Sequence, residues 1–240
     1  MIFAYLEWKK GNNIVIQIEM KRIFTVLVLC LAVQMANAQS GVQSVLNQLL
    51  GQGATKDAVT SIIENVVGNA VSKLDLSIEG TWTYSQPEVQ FKSDNLLAQA
   101  GGAAATTKVE NTLKKLYDKI GINKSLSYTF KQDNTFTQTI KIGSSVKTLN
   151  GTYTLDKENK IITLQYAALG KIGLGKINAI YANTGTSLAL LFDASQMLSF
   201  TKKVLTAVSS VSGIASVSTI TALIQNYDGM LLGYKIIAVR

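Results

Sequence analysis

Gly170-Lys171-Ile172-Gly173-Leu174-Gly175-Lys176 comes within one residue of a phosphate-binding loop, Gly-x4-Gly-Lys followed by Ser or Thr. The next residue is Ile177, so the hydroxyl that would hold magnesium is missing. Ile177, Ala179 and Tyr181 also alternate as a strand, where the motif needs a helix N-terminus to hold phosphate. Glycines at a turn or bulge account for the segment. Ser93-Asp94-Asn95, with Ser144-x-x-Lys147 or Ser199-x-x-Lys202, resembles the serine acyl-enzyme set. That set places Ser-x-x-Lys first and needs a Lys-Thr-Gly strand. Here the order is reversed and no Lys-Thr-Gly exists, so the match is coincidental.

The chain has no histidine, which removes Ser–His triads, histidine acid–base chemistry and the usual zinc ligand. Its single cysteine, Cys30, lies in an N-terminal apolar run, leaving no thiol chemistry or disulfide framework downstream. Carboxylates fall mostly on helix faces and turns. Glu79 and Glu88 come nearest to a glycosidase pair, without the inward mid-strand placement that sugar hydrolysis wants. The expectation is a protein that is not an enzyme and uses no metal and no cofactor. The formal net charge is +8 for the whole chain and +6 after residue 38, where every basic residue but Arg240 is lysine. Nucleic-acid recognition favours arginine forks beside aromatic platforms, so no nucleic-acid partner is expected.

Aromatic residues carry more information. Trp82, Tyr84, Tyr128, Phe130, Phe136, Tyr153, Tyr166, Tyr181 and Phe192 occupy alternating positions in extended segments. Such residues serve as packed core or as the wall of an apolar cavity in which tyrosine hydroxyls orient a ligand. Tyr84, Tyr128, Phe130, Phe136, Tyr153, Tyr166 and Phe192 are the candidate ligand-binding residues. Alternation alone leaves open which strand face points inward.

Helices and strands must position these rings. Val59, Ile62, Ile63, Val66, Val67, Ala70, Val71 and Leu74 follow helical spacing, with Thr55 as N-cap, and a shorter helix covers 42–50. Residues 94–121 read as helix, with Thr107 and Glu110 as a capping box, an apolar face of Val109, Leu113, Leu116, Tyr117 and Ile120, and a stop at Gly121. Residues 195–226 read as helix broken near Gly213. Period-two patterns predict eight strands: 80–90, 125–132, 135–142, 146–155, 160–167, 175–182, 186–193 and 230–239. Pro87 inside the first marks an edge or bulge. Short connections make neighbours antiparallel, and eight strands in meander order can close a small barrel. The fold class is therefore mainly β with added helices (α+β): an eight-stranded antiparallel barrel, with helices before strand 1, between strands 1 and 2, and before the last strand.

Gly80-Thr81-Trp82 resembles the Gly-x-Trp opening of lipocalins, and Tyr128 to Phe136 followed by Gly151-Thr152-Tyr153 extends the likeness. Together they resemble secreted lipocalin-like families of gut bacteria, most of them domains of unknown function. The resemblance spans roughly residues 40–240. It implies that Trp82 closes the barrel base under a basic residue after the last strand, where Arg240 stands. It further implies binding of a small apolar or amphipathic molecule. The alternative is a filled barrel that serves as a structural or interaction protein of the cell envelope, docking a partner through its helices.

Met20-Lys21-Arg22, the apolar run Ile23–Val33 and Ala36-Asn37-Ala38 form the n-region, h-region and cleavage site of an export signal. The run is too short to cross the ~30 Å core of a bilayer as a helix. The expected organisation is a non-native upstream extension at 1–19, a signal peptide at 20–38 cleaved after Ala38, and one domain at 39–240 with N-terminal helices over 42–76. The protein is then exported, periplasmic or extracellular, with no transmembrane segment after cleavage. An outer-membrane barrel fits poorly, because strands 135–142 and 146–155 put Thr, Lys and Ser where lipid-facing apolar residues would be needed.

Overall fold

Alternating apolar residues fold into eight strands: β1 (Gly80–Phe91), β2 (Ser127–Phe130), β3 (Thr135–Ile142), β4 (Ser145–Asp156), β5 (Ile161–Tyr166), β6 (Gly175–Asn183), β7 (Ser187–Asp193) and β8 (Met230–Ala238). They pair in sequence order, all antiparallel, and β8 returns to β1 to close the barrel. The structure is a computed structural model that describes residues 43–67, 76–92, 102–120, 123, 125–142, 145–207, 221 and 229–239. The export signal, Gly121, Gly213, the expected continuation of the helices over 68–74, 208–220 and 222–226, and Arg240 lie outside the described residues. The chain divides into two compact units, Met1–Leu46 and Asn47–Arg240, and the barrel belongs to the second.

One helix, α1, runs over residues 43–50. It is followed by α2 (Lys56–Val67), then α3 (Ala103–Ile120) between β1 and β2, and α4 (Ala194–Ala207) after β7. Thr55 caps α2 as expected, its Oγ1 accepting from the Ala58 amide at 3.4 Å. Val59, Ile62 and Ile63 are buried where α2 packs on β6, whose outward Ile180 and Ala182 are also buried. Each such side chain contributes about 1.5–3 kcal/mol by leaving water. The capping box expected at Thr107 is not the start of α3. The helix begins at Ala103, because three consecutive alanines extend it upstream, and Thr107 donates to the Ala103 carbonyl from within it.

Turns joining β2–β3, β4–β5 and β6–β7 lie at one end of the barrel with the start of β1. This turn end includes Asn134 at φ 60, and Asp133 accepts from the Thr135 hydroxyl at 2.6 Å and the Thr135 amide at 3.0 Å. Those bonds, the hydroxyl's first, hold the Asp133 carboxyl below its usual range. At the opposite, helix end the chain leaves β1 for α3 and β7 for α4. Asp193 starts α4 there, accepting the Gln196 amide at 3.0 Å while its other oxygen pairs with Lys92 at 2.7 Å. The near phosphate loop is also at this end. Leu169 and Ile172 exchange backbone hydrogen bonds to make a tight turn with Gly170 and Lys171 at its tip.

Candidate functional site

Cross-strand partners share a face, so the register fixes the inward set left open by sequence. Trp82 lies opposite Tyr128, Tyr128 opposite Gln138, Phe136 opposite Gly151, and Gly151 opposite Tyr166. Tyr234 pairs with Leu190 on one side and Pro87 on the other. The inner wall is thus lined by large side chains, nearly all fully buried.

Six of the seven expected ligand-binding residues form one contiguous interior cluster. Phe130 meets Tyr128, Phe136 and Tyr153 at centroid distances of 5.5, 6.0 and 5.2 Å. Phe136 meets Tyr166 edge-on at 5.0 Å, and Tyr166 packs against Phe200 of α4 at 4.5 Å. Phe192 joins through Tyr234, 5.9 Å away. These separations are those of aromatic pairs in close packing. Gly151 makes the arrangement possible: a Cβ there would sit 2.7 Å from Phe136 Cε1. Tyr84 stands apart, meeting only Tyr117 of α3 among these contacts, edge-on at 6.0 Å. Trp82 is buried near the turn end and donates its indole N–H to the Ile78 carbonyl at 2.7 Å.

A chain of hydroxyls crosses this apolar interior. Tyr166 donates to Gln138 Oε1 at 2.7 Å. Tyr128 lies 3.3 Å from the Tyr166 hydroxyl and 2.6 Å from that of Tyr234. Each phenol has one proton. With Tyr166 committed to Gln138, Tyr128 must donate to Tyr166, and Tyr234 must donate to Tyr128. The donors therefore run one way, Tyr234 to Tyr128 to Tyr166 to Gln138, and every proton in the chain has an acceptor. Burial pushes all three phenols above their ordinary value, so they remain neutral donors rather than bases or nucleophiles at physiological pH. Tyr153 is satisfied separately, donating to the Lys131 carbonyl at 2.9 Å.

Sequence reasoning missed Tyr234 and Gln138, and read Tyr117 and Phe200 only as apolar helix positions, not as neighbours of the site. Gln138 carried a signal, a polar residue in phase with apolar Phe136 and Ile140. Tyr234 carried one too, in phase with Leu232 and Ile236. Of the chemical decoys, Glu88 faces outward and pairs with Lys235 at 3.6 Å, while the Glu79 amide bonds Ser77 Oγ at 3.1 Å. Among the described residues no group of His, Cys, Asp and Glu could hold a metal ion.

The barrel has a seam. β1 pairs with β2 only from Gly80 to Thr83, with one further bond from the Tyr84 amide to the Leu126 carbonyl. Its register with β8 shifts between Tyr84 and Gln86, and from Gln86 to Phe91 it pairs with β8 alone. Pro87 accordingly sits in the half of β1 that is an edge toward β2, as its residue type demands. Here α3 packs against β1, burying Val109, Leu113 and Tyr117. The Glu110 carboxyl lies beside the Val89 backbone amide. Burial raises the Glu110 carboxyl pKa and the Glu88 charge adds to the rise, against the Val89 amide and Lys235. Tyr84, beside the seam, is pushed up to about 12 by burial, with the Asp118 charge adding to it.

A raised carboxyl pKa means that the folded state holds its proton more tightly than the unfolded chain. Stability from this group is greatest below the ordinary carboxylate pKa and declines as pH rises through the raised value. Glu110→Gln, which keeps an oxygen for the Val89 amide, is expected to flatten that decline. Urea midpoints measured for both proteins from acidic to neutral pH should converge toward acid and separate toward neutrality, the variant being the more stable. A parallel pair of curves would refute the assignment.

The model of a lipocalin-like domain, DUF4923, matches residues 50–237. Among solved structures, a DUF4847 family protein from Bacteroides vulgatus is similar at 15% identity, covering 67% of this chain and 93% of its own, with a TM-score of 0.31. No curated protein matches the chain.

Proposed function

Because the chain belongs to the lipocalin-like DUF4923 family, we propose that it is an exported, non-catalytic barrel whose interior is a filled scaffold and whose recognition surfaces lie outside it. One observation carries this reading: the hydroxyl chain from Tyr234 to Gln138 is satisfied from within, among rings packed at 4.5–6.2 Å. A ligand pocket keeps a few polar groups pointed at its guest. Here the tyrosines that could orient a guest already hold one another, and a guest would have to break those bonds to enter. Among the described residues no helix is long and apolar enough to cross a membrane. Export rests on residues 20–38 and their cleavage site after Ala38.

A second reading, uptake of a small apolar or amphipathic molecule, draws support from the seam. Tyr84 is only half-buried there, and α3 rather than a strand covers the gap. Such a molecule would enter beside Tyr84 and Tyr117 instead of through the barrel mouth.

Native mass spectrometry of protein purified from an exporting host tests both readings at once. The scaffold reading expects a chain beginning at Gln39, without a companion mass, that takes up no fluorescent fatty-acid probe. A reproducible companion released on unfolding, or probe uptake that Tyr84→Ala abolishes, would overturn it in favour of the carrier. A chain retaining residues 20–38 would overturn the cleavage.

A further inference from the structure

We propose that the helix end of the barrel is a docking surface for an anionic phospholipid bilayer, formed by the Leu169–Ile172 turn and α4. This rests on the scaffold reading, whose recognition surfaces it places.

Charge is unevenly distributed along the barrel axis. Residues 159–192 and 194–227 contain no aspartate or glutamate. Within them, Lys171, Lys176, Lys202 and Lys203 are all exposed at the helix end. Lys203 joins α4 to the β5–β6 connection, donating to the Leu174 carbonyl at 3.5 Å. Asp193, the carboxylate at the start of α4, is occupied by Lys92 and the Gln196 amide. Along the seam α3 adds exposed Lys108, Lys114 and Lys115, against Glu110 and Asp118. The turn end is balanced by contrast, with Glu79, Asp133, Asp156 and Glu158 set among Lys131, Lys157 and Lys160, and Glu158 paired with Lys56 at 2.7 Å.

Charge complementarity selects an anionic partner, and the neighbouring side chains select which kind. Leu169, Ile172, Met197 and Phe200 are partly exposed at the same end, each resting on the core with its remaining surface open. Basic residues flanking apolar ones suit the boundary between headgroups and acyl chains. A nucleic acid would want arginine forks and stacking platforms, and these cations are lysines. Lys171 stands at the tip of a two-residue turn whose flanking Leu169 and Ile172 are tied by paired backbone bonds at 2.9 and 3.2 Å. That rigid tip presents a cation with an apolar residue on either side. Each lysine near an anionic surface raises the partition coefficient about fivefold, and salt screens the effect.

Co-sedimentation with vesicles tests the surface, using protein from the exporting host. Vesicles of phosphatidylglycerol are expected to capture it at low salt and release it at high salt, while phosphatidylcholine vesicles leave it in solution. Lys171→Glu with Lys202→Glu, both exposed and outside the core, should lower partitioning about thirtyfold or more. Lys131→Glu with Lys157→Glu, the same change of charge at the turn end, should leave it near the parent value. Equal loss in both double variants would show attraction to net charge alone and overturn the assignment. So would binding that ignores lipid charge, or no binding at all. The two readings fail separately: a companion mass together with lysine-dependent vesicle binding removes only the filled scaffold. A companion-free protein that ignores phosphatidylglycerol removes only the membrane surface.

Discussion

Gly233→Ala is expected to cost about 3 kcal/mol or more and to leave little folded protein at physiological temperature. Gly233 lies on β8 between Glu88 of β1 and Leu191 of β7. It faces outward by register, on a stretch where it and both neighbours are buried. Here the added Cβ would run into the Leu190 carbonyl oxygen, with the Leu190 carbonyl carbon at 2.8 Å and Leu191 Cα at 3.2 Å. The obstructing atoms are backbone, so no rotamer change relieves the clash, and two ladders meet on this strand. β8 closes the barrel, so displacing it disturbs both β1 and β7. Ile237→Ala, at an exposed position farther along the same strand, serves as the control and should stay within about 0.5 kcal/mol. Thermal and urea unfolding of the pair check the expectation. A Gly233→Ala protein as stable as the parent would mean that β7 and β8 do not approach as described.

Tyr128→Ala should be nearly as damaging, at about 3–5 kcal/mol, because it removes a buried ring that meets Phe130, Phe136 and Tyr234. The more informative comparison uses phenylalanine, which keeps the rings and removes single hydroxyls. In Tyr128→Phe the Tyr234 proton loses its acceptor and Tyr166 loses its donor. Leaving a buried donor unsatisfied costs about 1–3 kcal/mol. Tyr234 begins the chain, so Tyr234→Phe takes away a donor and strands no proton, and its cost should be about 1 kcal/mol. Equilibrium urea unfolding should therefore rank Tyr128→Phe below Tyr234→Phe. The reverse order would mean that the donors run the other way or that Tyr234 has another acceptor. Equal, negligible costs would point to water in the interior and would weaken the filled-scaffold reading.

Much of the architecture was legible because its signals are local. Alternation gave the eight strands and their order, short connections made neighbours antiparallel, and Gly80-Thr81-Trp82 marked where the barrel begins. The capping box at Thr107 was misread because the helix propensity of Ala103 to Ala105 carries α3 upstream of it. The site was legible only in part. Tyr128 and Tyr166 could be named as inward candidates on a strand. Their convergence with Tyr234 depends on a register spanning eight strands, and alternation within one strand carries no information about partners across a barrel. The seam was hidden for the same reason. Pro87 announced an edge or bulge, but only the end of the β1–β2 ladder at Thr83 shows where the edge begins and why a helix must cover it. Charge polarity along the axis likewise appears only once the turns and helices are assigned to opposite ends.

The short ladder at Gly80–Thr83 also sets the order in which the molecule comes apart. A ring opens at its weakest link, and β1 is held to β8 from Trp82 to Phe91 but to β2 along only a third of its length. Local opening should begin with β2 swinging away from β1, while β1, β8 and β7 stay joined as a cooperative unit. In native-state hydrogen exchange, the amides bonded across β1 and β2 would then exchange by a smaller excursion than those across β1 and β8. A barrel closed on paper by eight strands would behave in solution as a curled sheet with a clasp, its weakest point under the helix that covers it.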